Sequence, residues 1–177
     1  MSCDCPVHFR RAVTDDAAGI APVHVDGGQR AHEGLAPPEY NARRSARGRE
    51  AFWREELEIE APVRKPWVAL SDEDRIIGFA DGGLARDDDL DAGTGEIYNL
   101  FVTPECWEKG IRSRLVDQYA RDLRAHEFQR AGFWVLEADL VMRAFAEYTG
   151  WHPDGHARDE DCGGASVTEL RYTKDLV

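Results

Sequence analysis

The segment from Glu96 to Leu123 constrains the fold more than any other part of this chain. Glu96-Ile97-Tyr98-Asn99-Leu100-Phe101-Val102 has the β-branched and aromatic content of a strand, and Pro104 prevents its smooth continuation. From Trp107 onward the pattern changes: Ile111, Leu115, Val116, Tyr119, Ala120 and Leu123 recur at steps of three and four, which predicts a long amphipathic helix. A strand, a bend and Gly110 opening a helix direct several unpaired backbone N–H groups and the positive helix end to one point. That arrangement suits a diphosphate, although a single glycine between strand and helix also occurs in turns that only connect elements.

The remaining elements fall into place around this unit. Phe9 to Val13 reads as a short strand, and Thr14 followed by Asp15 and Asp16 reads as a helix start, a hydroxyl cap with acids in the first turn. That helix is expected to run through Val25 and to loosen at Gly27-Gly28, since each glycine costs about 1 kcal/mol relative to alanine inside a helix. Residues 41–60, with Phe52, Trp53, Leu57 and Ile59 among many charges, read as a second amphipathic helical segment after Pro37-Pro38. Trp67 to Leu70 and Ile76 to Ala80 form a hairpin, and Phe133 to Leu136 is a further strand. Ala138 to Tyr148 is a helix stopped by Gly150, and the tail supplies one or two strands through Val167, Leu170 and Tyr172. No repeat or linker interrupts the order, so residues 1–177 make one mixed α/β domain, with residues 1–8 expected to be a flexible terminus.

Charge narrows the partners. Acidic residues number 34 against 22 basic ones, a formal charge of -12, which repels phosphate backbones and anionic lipid and attracts amines. Neither nucleic acid nor a membrane is expected as a partner. No run approaches the roughly 18 apolar residues of a membrane span, and the start has no signal-peptide core, so a cytoplasmic location is expected. Four cysteines in a chain of this length fit reduced thiols rather than a disulfide framework. Cys3 and Cys5 find no paired spacing at Cys106 and Cys162 to complete a zinc site, and the acidic stretch Arg86 to Gly95 reads as a solvated turn without the EF-hand pattern. No metal is assigned.

The sequence resembles the GNAT acetyltransferase superfamily over nearly its whole length. The residues that carry the resemblance are Phe9-Arg10-Arg11-Ala12 with Asp15-Asp16, then Val23-His24-Val25 with Gly34-Leu35 and Pro38-Glu39-Tyr40, and the strand Gly95-Glu96-Ile97-Tyr98. They continue with Val102-Thr103-Pro104-Glu105 before Trp107-Glu108-Lys109-Gly110-Ile111, and with Val135-Leu136-Glu137-Ala138 leading to Phe145, Glu147 and Gly150-Trp151. The resemblance implies an acyl-CoA N-acyltransferase fold: a mixed, mostly antiparallel splayed sheet of six or seven strands flanked by helices. It implies acetyl-CoA as cofactor, its pantetheine arm pairing with backbone near Phe101 and Val102. Its pyrophosphate would rest on amides of Lys109, Gly110, Ile111, Arg112, Ser113 and Arg114, and Asp139 would meet the cofactor from the next helix. Glu96 stands where some members place the general base, with a surface glutamate as the plain alternative, and Tyr98 is expected as a pocket wall. A small-molecule amine is the implied acceptor, and a homodimer is compatible with the family.

Five positions depart from the family pattern. Arg112 replaces a small residue in the phosphate loop, where it either grips phosphate or fills the cofactor space. Asp139 stands in place of asparagine. Ala146 stands in place of the tyrosine that would protonate the leaving thiolate, and Tyr148 lies about 200° further around the helix, out of reach of that role. On the acceptor side Gly28 and His32 replace aromatic residues, which widens the pocket; His32 is either a structural histidine or a ligand-binding or acid–base group. The resulting expectation is an acetyl-CoA-dependent N-acetyltransferase for a small-molecule amine. The alternatives are a repurposed relative that does not use acetyl-CoA and a noncatalytic small-molecule binder.

Overall fold

A computed structural model describes residues 7–43 and 45–176. Seven strands form one sheet in the order β1-β2-β3-β4-β5-β7-β6. They are β1 (His8–Arg11), β2 (Trp67–Leu70), β3 (Ile76–Leu84), β4 (Thr94–Val102), β5 (Arg130–Leu136), β6 (His152–Asp161) and β7 (Ser166–Asp175). Every neighbouring pair is antiparallel except β4 and β5, which run parallel. The splayed, mostly antiparallel α/β sheet expected from the sequence is therefore present. His8, placed by the sequence reading in a flexible terminus, lies within β1; residues 1–6, including Cys3 and Cys5, are outside the described residues.

Five helices flank the sheet: α1 (Ala17–Ala31), α2 (Pro38–Ala42), α3 (Ala46–Glu58), α4 (Ile111–Ala125) and α5 (Leu140–Tyr148). The start of α1 differs from the expected hydroxyl cap. Thr14–Asp16 is a 3-10 turn, and Asp16 rather than Thr14 takes the exposed amide, accepting from Val13 N at 2.8 Å and from Arg10 at 2.6 Å. Nor does α1 loosen at Gly27-Gly28; it runs on to Ala31. Packing explains this, because a Cβ on Gly27 would lie 2.3 Å from Cδ1 of Phe101. Glycine here lets the helix approach β4, a gain in contact that outweighs its low propensity.

On that face of the sheet, Ile20, Val23, Trp53 and Leu57 of α1 and α3 pack on Val68, Ile76 and Phe79. On the other face, Ile111, Leu115, Val116, Tyr119 and Leu123 of α4 pack on Ile77, Ile97 and Val102. Each such aliphatic side chain, buried at the steps of three and four read from the sequence, contributes about 1.5–3 kcal/mol. The helix is shorter at its start than the sequence pattern indicated. Pro104–Lys109 forms a 3-10 turn, and Gly110 at φ +68° separates it from α4.

Candidate functional site

Strands β4 and β5 pair over three residues only, Thr94 with Arg130, Gly95 with Ala131 and Glu96 with Gly132. Beyond them the two strands part. A bulge helps to set the divergence: opposite Asp81 and Gly82 of β3 stand Asn99 and Ile97, which leaves Tyr98 as the extra residue of β4. Between the parted strands lies a cleft of about 320 Å³. Ile97 to Phe101 form one wall, Phe133 to Leu136 the other, and His24, Gly28 and His32 of α1 and its C-terminus close one end. Backbone groups on the facing edges lack strand partners, which makes them donors and acceptors for an extended ligand.

Gly110 stands at the entrance to α4, in the connection that follows β4. It is exposed, its φ is left-handed, and no atom lies within 4 Å of where a Cβ would stand. No side chain caps α4. The first-turn amides are thus left without a side-chain acceptor, as an anion-binding helix start requires. The two arginines that follow pack on aromatic rings. The Arg114 guanidinium lies 4.1 Å from the Phe9 ring centre and that of Arg112 5.5 Å from the Phe145 ring centre on α5. Burial holds the Arg112 guanidinium below its ordinary pKa, opposed by the Asp139 charge, and its buried Nε has no hydrogen-bond partner among the described residues. A desolvated cation with an unmet donor is chemically suited to an anion.

The other expected site residues divide. Phe101, Tyr98, Asp139, Gly28 and His32 all line the cleft. Val102 does not: its side chain is buried in the core with α4, and its carbonyl accepts from Trp107 Nε1 at 2.7 Å. Asp139 caps α5, accepting from Met142 N at 2.9 Å. Glu96 is 2% exposed and lies outside the cleft lining. Its carboxylate accepts from Arg86 N at 2.9 Å and from the Arg86 guanidinium at 2.8 Å. The same guanidinium stacks 3.8 Å from the centre of the Tyr98 ring, whose hydroxyl donates to Leu84 O at 2.6 Å. Glu96 therefore reaches the cleft only through Arg86 and Tyr98, a geometry at odds with a base that meets substrate directly. Ala146 is fully buried in the core beside Trp151, and Tyr148 is 90% exposed, so neither brings a hydroxyl to the cleft.

Several residues of the site escaped the sequence reading. The acidic stretch is no mere solvated turn. Arg171, 2% exposed, donates to Asp89 at 2.5 and 2.7 Å, to Asp154 at 2.7 Å and to Asp87 at 3.2 Å. Asp87 also accepts from Trp134 Nε1 at 3.1 Å, and the Arg158 guanidinium lies 4.1 Å from the Trp134 ring centre. This ionic cluster fixes Trp134 as a cleft wall. On the opposite wall, Asn99 lines the cleft and hydrogen-bonds the carboxyl of Asp81, whose pKa burial pushes up to about 7 against the Asn99 bond. Asp81 Oδ1 has no hydrogen-bond partner. The available signal was a lone acid in the otherwise apolar run Ile76 to Leu84.

No helix among the described residues is long and apolar enough to cross a membrane. No curated protein sequence matches the chain. Solved structures do match its fold. An N-acetyltransferase from Staphylococcus aureus Mu50 superposes with a TM-score of 0.76 at 16% identity, covering 97% of this chain and 99% of that one. A ribosomal-protein-alanine N-acetyltransferase from Brucella melitensis gives a TM-score of 0.74 at 16% identity over 95% and 99% of the two chains. The PaiA N-acetyltransferase from Thermoplasma acidophilum, solved in complex with coenzyme A, gives 0.68 at 16% identity over 96% and 99%. These likenesses show the fold. The model of the acetyltransferase (GNAT) family matches residues 29–151, most of the sequence, and the chain belongs to that family.

Proposed function

We propose that this chain is an N-acetyltransferase that uses acetyl-CoA and a small-molecule amine. The observation that carries this reading is the three-residue pairing of β4 with β5, which leaves strand edges open beside the uncapped start of α4. When bound, acetyl-CoA supplies an acetyl thioester. The amides from Lys109 to Arg114 hold its diphosphate, with Arg112 turning its unmet Nε–H and its charge toward the same anion. The open backbone of Leu100 and Phe101 receives the extended arm in the manner of an added strand.

The acceptor enters from the end of the cleft lined by His32, Arg158, Glu160 and Glu169. Arg158 neutralises Glu169 at 2.7 Å, and the acidic charge of the chain as a whole draws a cationic amine. Glu96 acts as a positioning residue: it fixes Arg86 against Tyr98 at the wall where the reacting groups meet. Attack requires a neutral amine, and its proton leaves through the water of the open mouth. A cytoplasmic location accords with the reduced thiols and the acidic charge.

Calorimetry with acetyl-CoA tests the reading. One equivalent should bind, and Arg112→Ala should weaken that binding by about 10- to 100-fold, the worth of a hydrogen bond to a charged group. No binding at millimolar ligand overturns the assignment of the cofactor. Tighter binding by Arg112→Ala would identify the side chain as a plug and favour the repurposed relative that does not use acetyl-CoA.

A further inference from the structure

We propose that His32, Glu160 and Cys162 bind a divalent transition-metal ion of the zinc class at the acceptor end of the cleft. The inference is independent of acetyl transfer. One ligand atom from each of the three residues lies within 4.8 Å of the others. A nitrogen, a carboxylate oxygen and a thiolate sulfur form the mixed, borderline-soft donor set that zinc takes, whereas calcium and magnesium take oxygen.

The second, independent observation is His32 itself. It is 9% exposed, and its Nε2 is buried with no hydrogen-bond partner among the described residues. Its Nδ1 is 2.8 Å from Gly28 O, a contact that a proton on Nδ1 satisfies. The lone pair is then on Nε2, the nitrogen left for a ligand role. A backbone carbonyl on the far nitrogen is the usual outer support of a metal-bound histidine. A protein that buries a lone pair without a donor has left a desolvated acceptor, and an ion is the group that would meet it.

Outer contacts hold the other two ligands as well. Tyr40 Oη donates to Glu160 Oε1 at 3.2 Å, and the Tyr40 and His32 rings pack with centres 5.7 Å apart. Cys162 is fully buried, and its N–H bonds Ala165 O at 2.8 Å in the tight turn between β6 and β7. Gly163, at φ +76°, brings that turn against Tyr40, with 3.4 Å between its would-be Cβ and Tyr40 Cβ. The three ligands therefore come from the end of α1, the end of β6 and the following turn, elements up to 130 positions apart in the chain. A thiolate and a carboxylate neutralise a dication. His32 and Glu160 line the cleft, so the fourth position of a tetrahedral ion opens toward it, to water or to a donor atom of the acceptor.

The test uses the full chain with Cys3→Ser and Cys5→Ser, which removes the amino-terminal thiols as competing ligands. Zn2+ alone should bind with one-to-one stoichiometry by calorimetry and raise the melting temperature, and Mg2+ should do neither. Co2+ in its place should give a thiolate-to-cobalt charge-transfer band. Cys162→Ser should abolish that band, and Cys106→Ser should leave it intact. His32→Gln carries the same test should Cys162→Ser fail to fold, and should lower Zn2+ affinity by about 100-fold or more. Tyr40→Phe, which removes only the outer contact to Glu160, should cost about 10-fold. Absence of one-to-one Zn2+ binding in the Cys3→Ser, Cys5→Ser chain, a cobalt band that survives Cys162→Ser, or Zn2+ affinity undiminished by His32→Gln would overturn the site.

Discussion

The two walls of the cleft are held by different forces. The β4 wall belongs to a region packed on both faces by apolar side chains, with Phe79, Leu115 and Trp53 at most 2% exposed. The β5 wall leads into β7 and β6, and every residue of β6 is exposed. Phe133, Val135 and Tyr172 share the apolar core on that side, and the four-residue cluster of Arg171 with Asp87, Asp89 and Asp154 adds an ionic clamp that holds Trp134 through Asp87. Apolar packing is insensitive to pH and salt, and an ionic clamp is sensitive to both. The clamp behind β5 is thus the part that salt adjusts, while pH acts on both walls, through the clamp and through buried Asp81 on β3.

The contrast is broken most severely by emptying the apolar side. Leu115→Ala should cost about 2–5 kcal/mol in urea unfolding, the range for a leucine removed from a close-packed core. Arg171→Ala should cost about 3 kcal/mol, because it strands carboxylates around an empty position, and should enhance Trp134 exposure to fluorescence quenchers. Gly27→Ala should cost about 1–3 kcal/mol by forcing Phe101 to move, and should weaken cleft ligands in a binding assay.

Two pH effects sharpen the comparison further because they have opposite signs. Asp81, with its pKa raised to about 7, is protonated in the folded state across a range where the unfolded chain has lost that proton. Stability from this group falls as pH rises from about 4 to about 7, by at most about 1.4 kcal/mol per pH unit. Thermal melts of Asp81→Asn should lack that slope. Asp89 is held at about 2 by its hydrogen bonds to Arg171, so its contribution is present above about pH 4 and is lost as pH falls toward 2. Asp89→Asn should flatten that acid limb, the smallest of these effects because the group is on the surface and Asp87 and Asp154 remain.

The strand and helix order was legible because periodicity is a local property. Leu115, Val116, Tyr119 and Leu123 announce α4, and the hairpin of β2 and β3 follows from two short apolar runs and a polar turn. Gly27 and Gly28 misled because low helix propensity is local, whereas the reason for Gly27, the ring of Phe101, lies 74 positions away in the chain. The same holds at the site. Gly110 could be read from its place between a strand and a helix, and the residues lining the cleft at Tyr98 and His32 from the family resemblance. The pairing of Glu96 with Arg86 requires the chain to fold back at the β3–β4 loop. The clamp on Arg171 joins positions 82 apart or more to Asp87 and Asp89, and periodicity is silent about such pairings.

The pairing of β4 with β5 ends at Glu96 and Gly132, and that end point works as a ruler. Strand residues advance by about 3.3 Å each, so the slot can lengthen or shorten only in steps of that size. Relatives that zip one rung further would hold a shorter reach of ligand, and those that stop one rung sooner a longer one. Depth in this architecture is a whole number of residues, chosen where two strands let go of each other.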